Sequence, residues 1–328
     1  QVLDFNIRNK NSKGMVSRMD KKRIFSGMRP TGDLHIGHLS VLENWIKLQE
    51  EYECIYGVVD LHALTTAYED PSEIRKNGRN MLLDWLSVGL DPEKSTIMLQ
   101  SSVKQHSELH LLLSMLTPLS WLERVPTYKD QIQQLSQTGK NITTYGFLGY
   151  PLLMAADILV YKSEVVPVGE DQLAHLELTR ELGRRFNHLY GKEIFPEPKA
   201  LLAEVPMVPG IDKRKMSKSY NNYIPIYSNH KDLQEKVRQM ITDPARIKKD
   251  DPGNPDICVV YSYHKIYNKD EEKEIADLCR KGQIGCVQCK KKLADKLISF
   301  LEPIWLKREE LAKDEKVLDE ILEAGNIK

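Results

Sequence analysis

No apolar run in this chain approaches the ~20 residues that a membrane-crossing helix requires, so insertion into a bilayer is not expected. There is no excess of either charge, with 47 Lys and Arg against 47 Asp and Glu. No global positive field therefore marks a nucleic-acid partner, and any RNA contact must come from local basic clusters. Residues 1–22 lack the apolar core of a signal peptide, and Asp4 and Asp20 argue against an organelle transit sequence. They read as a flexible N-terminal extension of a cytoplasmic protein. Internal repeats and low-complexity tracts are missing. Cysteine is scarce, with five in 328 residues, and four of the five crowd between positions 258 and 289. That asymmetry excludes a disulfide framework and points to a reduced compartment and a metal site.

What is there is an ordinary globular composition, 41% hydrophobic and 29% charged, long enough for about two domains. Short, nearly continuous apolar runs at 23–27, 54–59, 96–99 and 165–168 suit parallel strands buried on both faces. Helical patterns lie between them. Leu39, Leu42 and Ile46 form one stripe, with Val41, Trp45 and Leu48 beside it. The alternation predicts an α/β fold, a Rossmann-like doubly wound parallel sheet, followed by an all-α C-terminal domain. We place the catalytic domain at 23–230 and the helical domain at 231–328. A helical insertion around 105–150 contains an apolar run at 109–116 and a polar loop at 131–144.

Two segments carry phosphate chemistry. After the first strand comes Arg29-Pro30-Thr31-Gly32-Asp33-Leu34-His35-Ile36-Gly37-His38, which runs straight into a helix. Unpaired N–H groups and the helix dipole favour an anion there, and Gly37 lets a nucleotide approach closely. His35 and His38 can donate hydrogen bonds to phosphate oxygens as charge develops. The second segment, Lys215-Met216-Ser217-Lys218-Ser219, is a basic loop whose lysines can follow a departing pyrophosphate. In isolation, the first is two solvent-facing histidines and the second a solvated basic loop. Taken together, in this order, they resemble the HIGH and KMSKS signatures of class I aminoacyl-tRNA synthetases, in which case His35, His38, Lys215 and Lys218 do the phosphate work.

A third segment, Tyr150-Pro151-Leu152-Leu153-Met154-Ala155-Ala156-Asp157-Ile158-Leu159-Val160-Tyr161, reads as a Pro-initiated helix apolar on nearly every face, with Asp157 its sole carboxylate. A buried carboxylate needs a donor, from the protein or from a substrate. The strand at 165–168 then feeds Gly169-Glu170-Asp171-Gln172 at the mouth of another helix, which is ligand-crevice architecture. From about residue 23 to beyond 289 the chain is similar to the tryptophanyl-tRNA synthetases. The resemblance implies that Asp157 accepts the indole N–H of tryptophan, that Met154 packs on the ring, and that Tyr150 and Gln172 hold the amino acid's polar end. It further implies that Gly169, Glu170 and Asp171 line the ribose side of ATP. Arg29, Pro30 and Thr31 line the nucleotide site by the same resemblance, although many relatives carry Gln where this chain has Arg29.

The expected partners are L-tryptophan, ATP with Mg²⁺, tRNA(Trp) and a second copy of the chain. The alternatives are the sister tyrosyl-tRNA synthetase and a non-catalytic, RNA-binding paralogue. Cys258, Cys279, Cys286 and Cys289 follow a Cys-x20-Cys-x6-Cys-x2-Cys spacing, which suits four thiolates around Zn²⁺ or an iron–sulfur cluster. The resemblance extends to those bacterial synthetases that carry a [4Fe–4S] centre near the anticodon-binding region. Arg280, Lys281, Lys290, Lys291 and Lys292 around the cysteines are candidates for tRNA phosphates.

Overall fold

The computed structural model describes residues 21–125, 143–202 and 208–328. The N-terminal extension (apart from 21 and 22) and the polar loop at 131–144 (apart from 143 and 144) lie outside the described residues. Five parallel strands form one sheet: β1 (Arg23–Met28), β2 (Glu53–Val58), β3 (Ser95–Leu99), β4 (Val165–Val168) and β5 (Lys199–Leu202), in the order β3-β2-β1-β4-β5. The expected Rossmann-like topology is present. The chain builds outward from β1 to β3 on one side and from β4 to β5 on the other. The crevice of such a sheet therefore lies where β1 and β4 end. Ile24 pairs with Val165 across that junction.

β2 and β3 are buried nearly throughout, as strands covered on both faces must be, and β1 buries Ile24 and Phe25. The fifth strand had no such signature. Its four residues, Lys199 to Leu202, are exposed or half-buried at the sheet edge, so burial imposed no continuous apolar run. On one face, the Leu39–Glu51 helix buries Leu39, Leu42, Trp45 and Leu48. Trp45 stacks on Tyr56 of β2 at 4.3 Å and meets the edge of Trp85 at 5.1 Å. Offset and edge-on pairs of this kind add about 0.5–1.5 kcal/mol beyond the area they bury.

The C-terminal third is helical. Its longest helix, Cys286–Leu311, buries Leu293, Leu297, Leu301 and Trp305 at intervals of four residues, and the Trp305 indole donates to the Ile226 carbonyl at 2.6 Å. Near its end Arg308 donates to Asp84 (2.7 Å) and Asn80 (3.2 Å) of the Ile74–Val88 helix. The last helix, Glu315–Ile327, closes the outer edge of β3. Its Asn326 carboxamide accepts the Leu99 N–H at 2.9 Å, a bond an edge strand otherwise leaves open. Gly325 is required by that contact, since a Cβ there would stand 1.8 Å from the Ile97 carbonyl oxygen.

Candidate active site

The two phosphate-type segments, some 180 residues apart in sequence, are brought together by backbone pairing. Ile36 donates to the Ile224 carbonyl and Ile226 to that of Leu34, both at 2.9 Å, so 34–36 and 224–226 form an antiparallel ladder. This lays the loop at 215–219 over the first segment. Met216 is buried, with its sulfur 3.6 Å from where a Gly37 Cβ would be, and the Lys218 ammonium donates to the Thr31 carbonyl at 3.1 Å. Gly32, at φ +102, takes the left-handed backbone of this turn beneath the Lys218 side chain.

His35 and His38 lie ring to ring, with centroids 3.8 Å apart. Burial, then the neighbouring charges of His38 and Lys218, push His35 down to about 3. Burial and Lys218 push His38 down to about 4. Both imidazoles are thus neutral at physiological pH. His38 Nδ1 lies 3.1 Å from the His35 backbone N–H and 3.2 Å from the His35 carbonyl; in the tautomer in which it accepts from the N–H, the proton sits on Nε2, available to an incoming oxygen. Lys218 is half-buried and its pKa is lowered by that burial, with Asp33 and Asp84 opposing and Arg29 reinforcing the shift. Lys215 is exposed.

The loop carrying these lysines is organised by Asn222, which sequence reasoning missed. Its carboxamide accepts the Ser217 N–H (2.8 Å) and donates to Asp212 (2.7 Å) and to the Lys215 carbonyl (3.1 Å). A single buried amide so ties both ends of the loop. An Asn in a polar loop carries no local signature of that role.

At the junction of β1 and β4 lies a cavity of about 340 Å³. Arg29, Tyr150, Met154, Asp157, Gly169 and Gln172 all line it, joined by His62 and His175. Pro30, Thr31, His35, Gly37, His38 and Lys215 to Lys218 are not in its lining, but the Lys218 charge feels that of Arg29, which is. Glu170 and Asp171 are exposed in the turn Glu170–Gln172, where the Gln172 amide donates to Asp171 at 2.7 Å. The Tyr150 hydroxyl meets His175 Nε2 at 2.8 Å.

Asp157 sits on the Tyr150–Val160 helix with 1% of its surface exposed. Its carboxylate is held by His106 Nδ1 at 2.6 Å, by His62 Nε2 at 3.1 Å, and by the Gln100 amide at 2.8 Å from each oxygen. Burial alone would raise its pKa; the hydrogen bonds from His106 and His62 outweigh it and hold the pKa below the ordinary value. The demand for a donor was legible in the sequence. The donors were not, because they stand 51 to 95 residues away and reach Asp157 only through the sheet.

The cysteines depart from expectation. Arg246 points Nη1 at the sulfurs of Cys279 and Cys286, 3.9 Å from each, while Nη2 donates to the Lys249 and Ile284 carbonyls at 2.6 Å. Cys289 Sγ lies 3.5 Å from His264 Nε2. The spacing of Cys258, Cys279, Cys286 and Cys289 predicts a closed four-thiolate ligand set for iron–sulfur or zinc. Among the described residues, however, no group of three or more His, Cys, Asp or Glu side chains converges as metal ligands. Burial and the surrounding thiols push Cys289 up to about 12, and burial likewise raises Cys258 and Cys279, so these three thiols hold protons that a metal would have to displace.

The comparisons with known proteins agree with this geometry. The family model for class I tRNA synthetases (W and Y) matches residues 18–302. A tryptophan–tRNA ligase of Thermotoga maritima is 51% identical, covering 93% of this chain and 94% of that one. One from Aquifex aeolicus is 47% identical over 91% and 93%. The solved structure of tryptophanyl-tRNA synthetase from Campylobacter jejuni, complexed with ADP and tryptophan, superposes with a TM-score of 0.85 at 34% identity, covering 93% of this chain and 94% of that one. The chain belongs to the class I tRNA synthetases of the tryptophan and tyrosine type.

Proposed function

We propose that the protein activates L-tryptophan with ATP and transfers it to tRNA(Trp), as a tryptophan–tRNA ligase. The observation that carries this reading is the cavity at the β1/β4 junction, lined by the ionised Asp157 and by Arg29, whose charge reaches Lys218 of the paired segments. The tryptophan carboxylate attacks the α-phosphorus of ATP in line, forming tryptophanyl-adenylate and releasing pyrophosphate. The acyl group then moves to the terminal ribose of the tRNA. No protein nucleophile takes part, and catalysis is positioning and charge stabilisation. Neutral His38 donates through Nε2 to a phosphate oxygen beside His35, and Lys218 and the exposed Lys215 follow the pyrophosphate. Arg29 lines the cavity, where the ATP phosphates and the amino acid meet. Mg²⁺ accompanies ATP and neutralises phosphate charge.

Within the cavity, Asp157 accepts the indole N–H, Met154 packs on the ring, and Tyr150 and Gln172 hold the ammonium and carboxylate. Pro30, Thr31, Gly37, Gly169, Glu170, Asp171, Met216, Ser217 and Ser219 complete the ATP site. A phenylalanine side chain offers Asp157 no N–H and so gains nothing there that tryptophan gains, which is a basis for rejection. ATP–pyrophosphate exchange with each amino acid in turn tests the reading. Exchange with tryptophan is expected, whereas exchange with tyrosine alone, or with no amino acid, would overturn it.

The remaining expectations belong to the same reading. A homodimer is supported by the exposed apolar side chains Leu111, Leu112, Met115 and Leu119, and is tested by sedimentation. The helical part from about 231 onward serves tRNA. Arg280 and Lys292 are paired with Asp256 and Glu271 and Lys290 donates to the Arg238 carbonyl, which leaves Lys281 and Lys291, without ion pairs among the described residues, as the better phosphate contacts. No helix among the described residues is long and apolar enough to cross a membrane, and a cytoplasmic location fits this activity. For the cysteine quartet, a [4Fe–4S] centre or zinc stays tied to the spacing and to the mutual electrostatic neighbourhood of the thiols. Iron, sulfide and zinc analysis of anaerobically purified protein decides between them, and metal-free protein would remove both.

A further inference from the structure

We propose that His62 is a stand-in donor: it occupies the Asp157 acceptor site in the free protein and is exchanged for the substrate's ring N–H on binding. The inference rests on the tryptophan-activating reading above. A carboxylate offers about four acceptor positions, two on each oxygen. Here His106 and Gln100 take those of Oδ1, and His62 and Gln100 those of Oδ2. An incoming N–H finds no vacant lone pair, so one protein donor must leave.

Two of the three donors are anchored on their far sides. Gln100 is fully buried, and its carbonyl accepts from the backbone N–H groups of Leu61 and His62 at 3.1 and 3.3 Å. His106 is fully buried, with its second nitrogen at the Tyr161 hydroxyl, 2.9 Å away. His62 differs on each count. It is the one donor of the three that lines the cavity, its bond at 3.1 Å is the longest, and its Nδ1 makes no hydrogen bond among the described residues. Only its backbone is fixed, by the bond to Gln100 and by Thr65, whose hydroxyl donates to the His62 carbonyl at 2.8 Å.

The exchange trades one N–H donor for another, so the carboxylate is never left unpaired during binding. It also sets the specificity. A ring without an N–H cannot displace His62, and has to share the cavity with it. Since His62 acts here through Asp157, it is a positioning residue.

The test uses the full chain. In ¹H–¹⁵N spectra of the histidine side chains, with the His62 signal identified by its loss in His62→Leu, saturation with tryptophan in the absence of ATP is expected to move the Nε2 proton away from its Asp157-bonded position. A His62 signal that does not change refutes the proposal. In parallel, the ratio of kcat/KM in pyrophosphate exchange is measured for tryptophan over its benzothiophene counterpart, which carries sulfur in place of N–H. In His62→Leu the substrate N–H no longer has to displace a protein donor, and the ratio is expected to rise about tenfold. In His62→Gln, which retains a donor, the ratio is expected to return towards that of the wild type. A merely structural role would lower both values alike and leave the ratio unchanged, which also refutes the exchange. Wild-type protein that exchanges with no amino acid would sink the functional reading itself, whereas exchange with tryptophan beside an unmoved His62 sinks only this inference.

Discussion

Arg308→Ala separates charge from shape in the contact between the Cys286–Leu311 helix and the Ile74–Val88 helix. Asp84 is 3% exposed, and burial raises its carboxyl to about 6 even with the Arg308 guanidinium 2.7 Å away. Because this folded-state pKa lies above the ordinary 3.8, the folded form holds its proton more tightly than the unfolded one. The stability associated with Asp84 is therefore fully present below about pH 4 and is lost as pH rises towards 6. At 1.36 kcal/mol per unit, the shift of about two units corresponds to roughly 3 kcal/mol. Removing Arg308 takes away the group that lowers this pKa, so the pKa climbs further and the extra loss appears above pH 6. We expect the variant to lose about 3–5 kcal/mol at pH ~8, as for a buried ion stripped of its partner, and clearly less at pH ~5, where Asp84 is protonated. Urea unfolding of both proteins at the two pH values measures it. An equal loss at both would show that Arg308 contributes by packing and that the charge argument is wrong.

Other consequences follow from particular contacts. Replacing His38 by Ala removes a preorganised donor and is expected to lower kcat for adenylate formation by about 10²–10³ with little change in KM for tryptophan, read by pyrophosphate exchange. Since His35 and His38 sit at about 3 and about 4, neither contributes an inflection to the wild-type rate between roughly pH 6 and 8; one traced to either histidine would contradict their neutral state. Asn222→Ala unties Ser217, Asp212 and Lys215 together and should reduce the exchange rate at least about tenfold, while a loss confined to thermal stability would assign Asn222 to folding alone. Gly325→Ala forces its methyl against the Ile97 carbonyl and should release the Glu315–Ile327 helix from β3, at a cost of about 1–3 kcal/mol, detected as faster C-terminal proteolysis.

The amino-acid order by itself determined the alternation of strands and helices, the first four strands, the two glycine- and lysine-bearing motif segments and the presence of a carboxylate in an apolar helix. These are local properties, set by periodicity and by turn chemistry within a few residues. It missed β5, which lies at the edge and needs no buried run. Contacts between distant parts of the chain were decided by the tertiary structure alone. The ladder between 34–36 and 224–226 brings His35 and His38 under Lys218, and β2, β3 and the helix after β3 aim His62, Gln100 and His106 at Asp157. The cysteines show the same limit from the other side: their spacing suggested a ligand set, but which side chains converge in space is set by the packing of helices, which no spacing encodes. A hydrogen bond is made at about 3 Å in space, and the distance along the chain at which its partner stands is free to be anything the fold permits.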